Sequence, residues 1–304
     1  MDNRKQENPS KESGQTLVLV ALLLVGLVAM LGLVLDGGGI YLERRRMQNA
    51  ADAGAIAGAV VLAQNGGDAL ALSRATEYAV ARNQAAVCQV TIEGQSIAVV
   101  AKVGYSTTFA RIVGVELVTV TARAEVRYAP VGALAGLAPV SVLDFPYVMR
   151  TKSYTIWDDN PDTSPDPTSG NISGSYRGWL GLNCVYPVSC GDAGAYDLKE
   201  WMTSGYEGTT GVDTWIRGSG GVKASTIAQA YVGQILKMVV FDAIEDKYSS
   251  NAYYHVIKFA AFKVTKVYAT GNPKGIQGTF EYFYAPGAAT GTQDGGVRTI
   301  TLTR

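Results

Sequence analysis

The sequence predicts an α+β protein. An N-terminal transmembrane helix continues into an Ala/Gly-rich helical hairpin packed on a small antiparallel sheet, and a mostly β C-terminal module follows. Three observations carry this. Thr16–Leu35 (TLVLVALLLVGLVAMLGLVL) is a run of 20 residues without a charge. It passes with no linker into LDGGGIYLERRRMQNAADAGAIAGA, Leu35–Ala59, which is mostly helix formers and small residues. From Cys88 onward the apolar residues change to a period of two, and turn signals become frequent.

The span comes first. A helix rises about 1.5 Å per residue, so this run reaches about 30 Å, the thickness of a bilayer hydrocarbon core. A core helix of that length ordinarily keeps one polar face. A cleaved signal peptide has an apolar run of only about 7–15 residues, ending at a small-x-small site. The reading is therefore an uncleaved anchor over 16–35, behind a polar, disordered tail at 1–13 that contains Pro9. Basic residues do not orient it: Arg4, Lys5 and Lys11 precede the span, and Arg44, Arg45 and Arg46 follow it. Length decides, because long following domains are translocated largely regardless of charge. The expectation is a single-pass membrane protein with a short cytoplasmic N-terminus and everything after Leu35 outside.

Tyr41–Leu62 is rich in strong helix formers. Small residues recur at four-residue spacing: Ala50, Gly54 and Gly58 on one line, Ala51, Ala55 and Ala59 on the next. Such a flank lets another backbone approach closely. Asn65-Gly66-Gly67 stops this helix, and Asp68 is placed to cap a second one over Ala69–Gln84. The two are expected to close as a hairpin, with Ala50, Gly54 and Gly58 as the candidate packing residues.

The sheet follows. Val118, Val120, Ala122, Ala124, Val126 and Tyr128 alternate with Thr119, Thr121, Arg123, Glu125 and Arg127. Strict alternation marks a half-buried strand. Glu93-Gly94-Gln95 turns between Val90–Ile92 and Ile97–Val103, and Phe109, Ile112 and Val113 take helical spacing in the next connection. A sheet with one apolar face needs a cover, which the helices can supply. Ala129–Pro139 (APVGALAGLAP) reads as a connection, so the boundary falls there. It separates a region at 14–128 from a mixed, mostly β module at 140–304. In that module strands are expected at Lys237–Asp242, Tyr253–Tyr268, Gly278–Tyr284 and Val297–Thr303. Short helices are expected near Asp197–Thr203 and Ala224–Ile235.

Composition narrows the function. Lys+Arg and Asp+Glu are both 26, so no basic surface points to nucleic acid. The one histidine, His255, lies in the strand-like YYHVIKFAAF, which excludes a multi-His metal site. No GxSxG stands near a base, and the Gly runs at 37–39 and 218–221 lack the Lys-Ser/Thr of a P-loop. Asp158, Asn160, Asp162 and Asp166 have calcium-loop spacing, but Thr163 and Ser169 stand where Gly and Glu are needed. This stretch reads as a solvated Asp/Pro loop. No catalytic residue, metal, cofactor or small-molecule substrate is therefore expected. Cys184 and Cys190 bracket CVYPVSC, a spacing that fits a small disulfide loop in an oxidising compartment. Two free thiols is the alternative, and Cys88 stands alone.

GQTLVLVALLLVGLVAMLGLVLDGGGIYLERRRMQNAADAGAIAGA resembles the N-terminal region of the TadE/TadG-like proteins of the Flp (tight adherence) pilus-assembly system. The shared elements are the GQ before the span, Asp36 with its glycines, Tyr41 and QNAADAGAIAGA. TFARIVGVELVTVTARAEV is similar to the family's next strand. The resemblance covers roughly the first 128 residues well, and the remainder loosely through KMVVFDAIEDKYSSNAYYHVIKFAAFKVTKV. It implies a non-enzymatic, membrane-anchored accessory subunit of a type IV-like pilus or secretion apparatus. Its partners would be the bilayer and other pilus-assembly subunits. Pilin-like members carry a Glu five residues after the cleaved glycine; Leu19 stands there after Gly14, which implies no cleavage and a permanent anchor. Some TadG proteins carry a DxSxS metal site; ISGSY at Ile172–Tyr176 lacks the leading Asp. The alternative function is an anchored surface protein that binds glycan, peptide or substratum through Trp157, Trp179, Trp201, Trp215 and the tyrosines.

Overall fold

The computed structural model describes residues 13–157, 171–173, 179–187, 193–219, 231–245, 252–268, 275–289 and 291–303. The chain forms two compact units, one of residues 1–55, 75–91 and 98–124, the other of 56–74, 92–97 and 125–304.

The first unit is organised by α1 (Ser13–Ala63), which continues into the second unit. It is one unbroken helix of 51 residues, so the apolar run and the Ala-rich segment belong to one helix through Gly37-Gly38-Gly39. Each glycine costs about 1 kcal/mol against alanine in a helix interior, but strong helix formers flank the triplet on both sides. Thr16–Leu31 are all exposed, and Gly32 is the first buried residue of the described helix. α2 (Asp68–Thr76) is followed by a π-helical turn, Glu77–Arg82. The second helix expected over Ala69–Gln84 thus changes hydrogen-bonding pattern midway.

β1 (Val87–Glu93), β2 (Ser96–Ser106) and β3 (Leu117–Pro130) lie in that order in one sheet. A 3₁₀ turn, Ala110–Val113, sits in the β2–β3 connection. Alternation places Val99, Ala101, Val120, Ala122 and Ala124 on the buried face. The hydrophobic side chains buried on the helical segments of this unit are Met47, Ala50, Ala51, Ala55, Ala75 and Ala79. All but Met47 are alanine, so backbones rather than long side chains set the packing distance.

The second unit adds β4 (Ala133–Leu137), β5 (Ser141–Leu143), β6 (Ser153–Trp157), β7 (Asn171–Ser173) and β8 (Trp179–Val185). After α3 (Ala195–Ser204) come β9 (Tyr206–Gly211), β10 (Thr214–Ser219), β11 (Ile235–Glu245) and β12 (Tyr253–Tyr268). β13 (Gly275–Glu281), β14 (Phe283–Tyr284) and β15 (Val297–Thr303) complete it. The main sheet runs β5-β11-β12-β13-β6-β7, with β10 also paired to β12 and to β8. It is buried on both faces. Leu236, Met238, Val240, Ala260, Phe262 and Phe280 pack in one core, and Val239, Phe241, Tyr254, Val256, Phe259 and Ala261 in another.

Two sequence expectations change here. Ala129–Pro139 is not only a connection: β4 pairs antiparallel with β9, because Leu134 and Leu137 are fully buried and anchor the short strand. Ile235 opens strand β11 rather than closing a helix, and most of the helix expected at Ala224–Ile235 lies outside the described residues. The last strand also returns to the beginning of the unit. β15 pairs antiparallel with Glu125–Pro130 of β3, and β14 runs parallel to β15.

The C-terminal end of α1 is held within the second unit by side chains far away in sequence. Arg298 Nη1 donates to the carbonyls of Leu62 and Ala63 at 3.5 and 3.4 Å, and Arg150 donates to those of Gln64 and Asn65. The last turn of α1 has no basic residue of its own. These guanidinium groups supply the positive charge that the negative end of a helix dipole favours. Asp294 orients Arg298 at 2.6 Å, and Glu281 pairs with Arg150 at 3.4 Å.

Candidate functional site

The densest set of specific contacts in the first unit lies where α1 leaves its apolar run. Gly32, Asp36 and Gly39 fall at i, i+4 and i+7, one face of a helix. All three meet the end of β2 and the connection to β3.

Asp36 is the centre. Its carboxylate is buried (5 % exposed) and accepts three backbone N–H bonds. Thr108 N donates to Oδ1 at 2.7 Å; Phe109 N and Ala110 N donate to Oδ2 at 2.9 and 2.7 Å. These N–H groups open the 3₁₀ turn at Ala110–Val113, where they have no partner within the turn. The bonds from Thr108 and Ala110 hold the carboxyl below the usual carboxylate range, against the opposing effect of burial, and the bond from Phe109 adds to them.

The glycines make room. A Cβ on Gly32 would lie 2.7 Å from Cβ of Phe109, and one on Gly39 would overlap the Tyr105 hydroxyl at 2.0 Å. A larger residue at position 32 would press on Phe109 at the start of the loop, and one at 39 would displace the Tyr105 ring. Further along, Gln48 Nε2 donates to the Arg123 carbonyl of β3 at 3.3 Å and to Asp52 at 2.8 Å. Arg46 bonds to Gln84 beyond the π-helical turn.

The small-residue line continues this face. Ala50, Gly54 and Gly58 are all buried. A Cβ on Gly54 would lie 2.9 Å from the Ala75 carbonyl oxygen, 3.3 Å from Ala79 Cβ and 3.4 Å from Val99 Cγ1. Gly54 is therefore occupied within the chain, between the end of α2, the π-helical turn and β2.

Elsewhere the candidates separate. Cys184 is buried and disulfide-bonded, and Cys88 is free. Cys190, its expected partner, lies outside the described residues, as does the loop Asp158–Ser169. Burial pushes the Cys88 thiol up, partly offset by a hydrogen bond with Thr76, so it is a poor nucleophile at neutral pH. His255 Nδ1 lies 2.7 Å from Asp242 Oδ1, and its ring tilts against Trp215 at 5.0 Å. Among the described residues no hydroxyl or thiol is hydrogen-bonded to that imidazole, and no cluster of three His, Cys, Asp or Glu could hold a metal. Trp179, Tyr154 and Tyr254 are core residues.

Sequence reasoning singled out Asp36 and the glycines after it only through a resemblance, read Phe109 only as a helix-spaced residue, and missed Gly32 and Tyr105. The available signal was a lone carboxylate at the end of an apolar run, with glycine four residues before it and three after it.

Residues 14–61 match the model of the Tad family, described as "Putative Flp pilus-assembly TadE/G-like". The segment carrying Asp36 and the small-residue line is thus similar to that family, and its apolar helix fits a membrane-anchored pilus-assembly protein. No curated protein and no solved structure matches the chain.

Proposed function

We propose that the protein is a non-enzymatic, single-pass scaffold subunit of a Tad/Flp pilus assembly or secretion system. Residues 16–35 anchor it, the N-terminus is cytoplasmic, and the β module at 140–304 stands outside the membrane. The observation that carries this reading is the Asp36 clasp. It ties the helix inside the TadE/TadG-like segment to the β2–β3 connection by three charge-assisted bonds, with close-packed glycines on either side. Such a joint makes no bond to a substrate. It fixes an exported sheet rigidly to its anchor, as a scaffold requires.

A side chain at Gly54 would meet Ala75, Ala79 and Val99 of the same chain, so we assign the small-residue line to packing within the chain and partner contacts to other surfaces. Of the aromatic residues open to a surface binder, Trp179, Tyr154 and Tyr254 are spent on the core, while Trp201 and Trp215 are half-buried. Affinity purification of the tagged full-length chain from gently solubilised membranes tests the reading. Enrichment of the system's ATPase, platform protein or other TadE/TadG-like subunits is expected. Extraction of the protein alone would contradict it.

We assign the disulfide of Cys184 to Cys190. A closed loop this short contributes about 2 kcal/mol through the unfolded state. Non-reducing peptide mapping should recover the two cysteines linked, and Cys184→Ser should lower stability by about that amount. A map linking Cys184 to Cys88 would overturn the assignment.

A further inference from the structure

We propose that the β2–β3 connection from Phe109 on, with Leu117 at the start of β3, is a membrane-interface collar that places Ile112, Val115 and Leu117 in the lipid headgroup region beside the anchor. The inference rests on the anchored reading above and goes beyond it. It assigns a second lipid contact to the exported sheet.

Depth is the first argument. Phe109 is seated on Gly32, three residues inside the end of the apolar run, or about 4.5 Å along the helix axis. Asp36, the first polar residue after the run, holds Thr108, Phe109 and Ala110 by their backbones. The connection is therefore pinned to the last turn of the span. If acyl chains surround Leu31–Leu35, they or their headgroups meet this loop.

Exposure is the second. Ile112 is 80 % exposed, Leu117 62 % and Val115 44 %, and Leu33, Val34 and Leu35, beside the Gly32 that seats Phe109, are exposed too. Exposed apolar surface gathered in one zone marks an interaction site. The occupant is lipid rather than protein because Phe109 and Asp36 seat this connection on the last turn of the span, where the bilayer must cover the exposed Leu33, Val34 and Leu35.

The loop is also built to hold its shape. Thr107 N donates to the Glu116 carbonyl, Val115 N to that of Ala110 and Gly114 N to that of Arg111, each at 3.1 Å. Arg111 and Glu116 are both exposed and cancel in charge, so the collar is held by apolar burial and depends little on salt. With one helix and one loop in the leaflet, the anchor is fixed in rotation as well as depth.

Spin labelling tests this. Single cysteines at Ile112, Leu23 and Gln89 would be introduced in a Cys88→Ser background, with the Cys184 disulfide kept intact. The full-length chain would be reconstituted in vesicles of phosphatidylethanolamine with phosphatidylglycerol. All three positions are exposed, so the label is tolerated. The expected result is that relaxation by oxygen exceeds relaxation by a water-soluble nickel chelate at Leu23 and Ile112, and the reverse at Gln89. Nickel-dominated relaxation at Ile112 with oxygen-dominated relaxation at Leu23 would overturn the collar and leave the anchor standing. A label at Ile112 shielded from both reagents would assign the surface to a protein partner and also overturn it. Nickel-dominated relaxation at Leu23 would remove the anchor, and the collar with it.

Discussion

Gly54→Leu is expected to destabilise the first unit by more than a typical overpacking substitution, which costs about 1–3 kcal/mol. The Cβ alone would stand 2.9 Å from a backbone oxygen, that of Ala75, which cannot rotate away as a side chain would. The rest of a leucine would then have to displace Ala79 and Val99. Membrane insertion should be unaffected, because the apolar run is intact. Gly54→Ala is the graded control: it adds only the Cβ, which meets the Ala75 oxygen at 2.9 Å and Ala79 Cβ at 3.3 Å, and its helix-propensity gain of about 1 kcal/mol opposes these, so a smaller loss than leucine's is expected. Thermal unfolding in detergent, followed by circular dichroism, compares the three proteins. A leucine variant as stable as the parent would make the small-residue line an accident of composition.

Asp36→Ala is expected to release the β2–β3 connection from α1. Three N–H groups would lose their acceptor together, and no neighbouring side chain is bonded to them in its place. Asp36→Asn should be nearly as damaging, because its NH₂ group would face donors. Amide exchange at Thr108, Phe109 and Ala110 reads this directly, and acceleration of roughly tenfold or more is expected where the local bonds set protection. Trypsin cleavage after the exposed Arg111 should rise in parallel. The pH dependence follows from the sign of the shift. The folded carboxyl titrates below its ordinary value, so its contribution is complete above the unfolded pKa. It is lost only as pH falls through the lower folded value. The clasp is thus fully closed at neutral pH, and acid below the usual carboxylate range opens it. Unchanged exchange in both variants would show that the glycine contacts alone hold the loop.

The sequence made some of this legible for clear physical reasons. The apolar run, the four-residue spacing of small residues and the alternation of Val118–Tyr128 each follow from one local period. The apolar and polar positions of YYHVIKFAAF read as a strand, and β12 bears this out, although its middle is buried at successive residues. What stayed hidden depends on distant partners. The clasp joins residues 72 to 74 apart in sequence, and the Arg298 cap on α1 joins residues 235 and 236 apart. Nor does any local pattern show that the last strand closes on β3. Ala129–Pro139 was read as a connection because small residues give little strand signal, although Leu134 and Leu137 bury it as β4.

The most direct test of the scaffold reading is made in the bacterium that carries the protein. The gene would be deleted, then complemented with the parent chain or with Asp36→Ala, and surface pili would be sheared off and quantified beside the cellular pool of mature pilin. The expected result is loss of surface pili with mature pilin still present, restored by the parent chain and not by the variant. Undiminished surface pili and secretion after deletion would contradict the account.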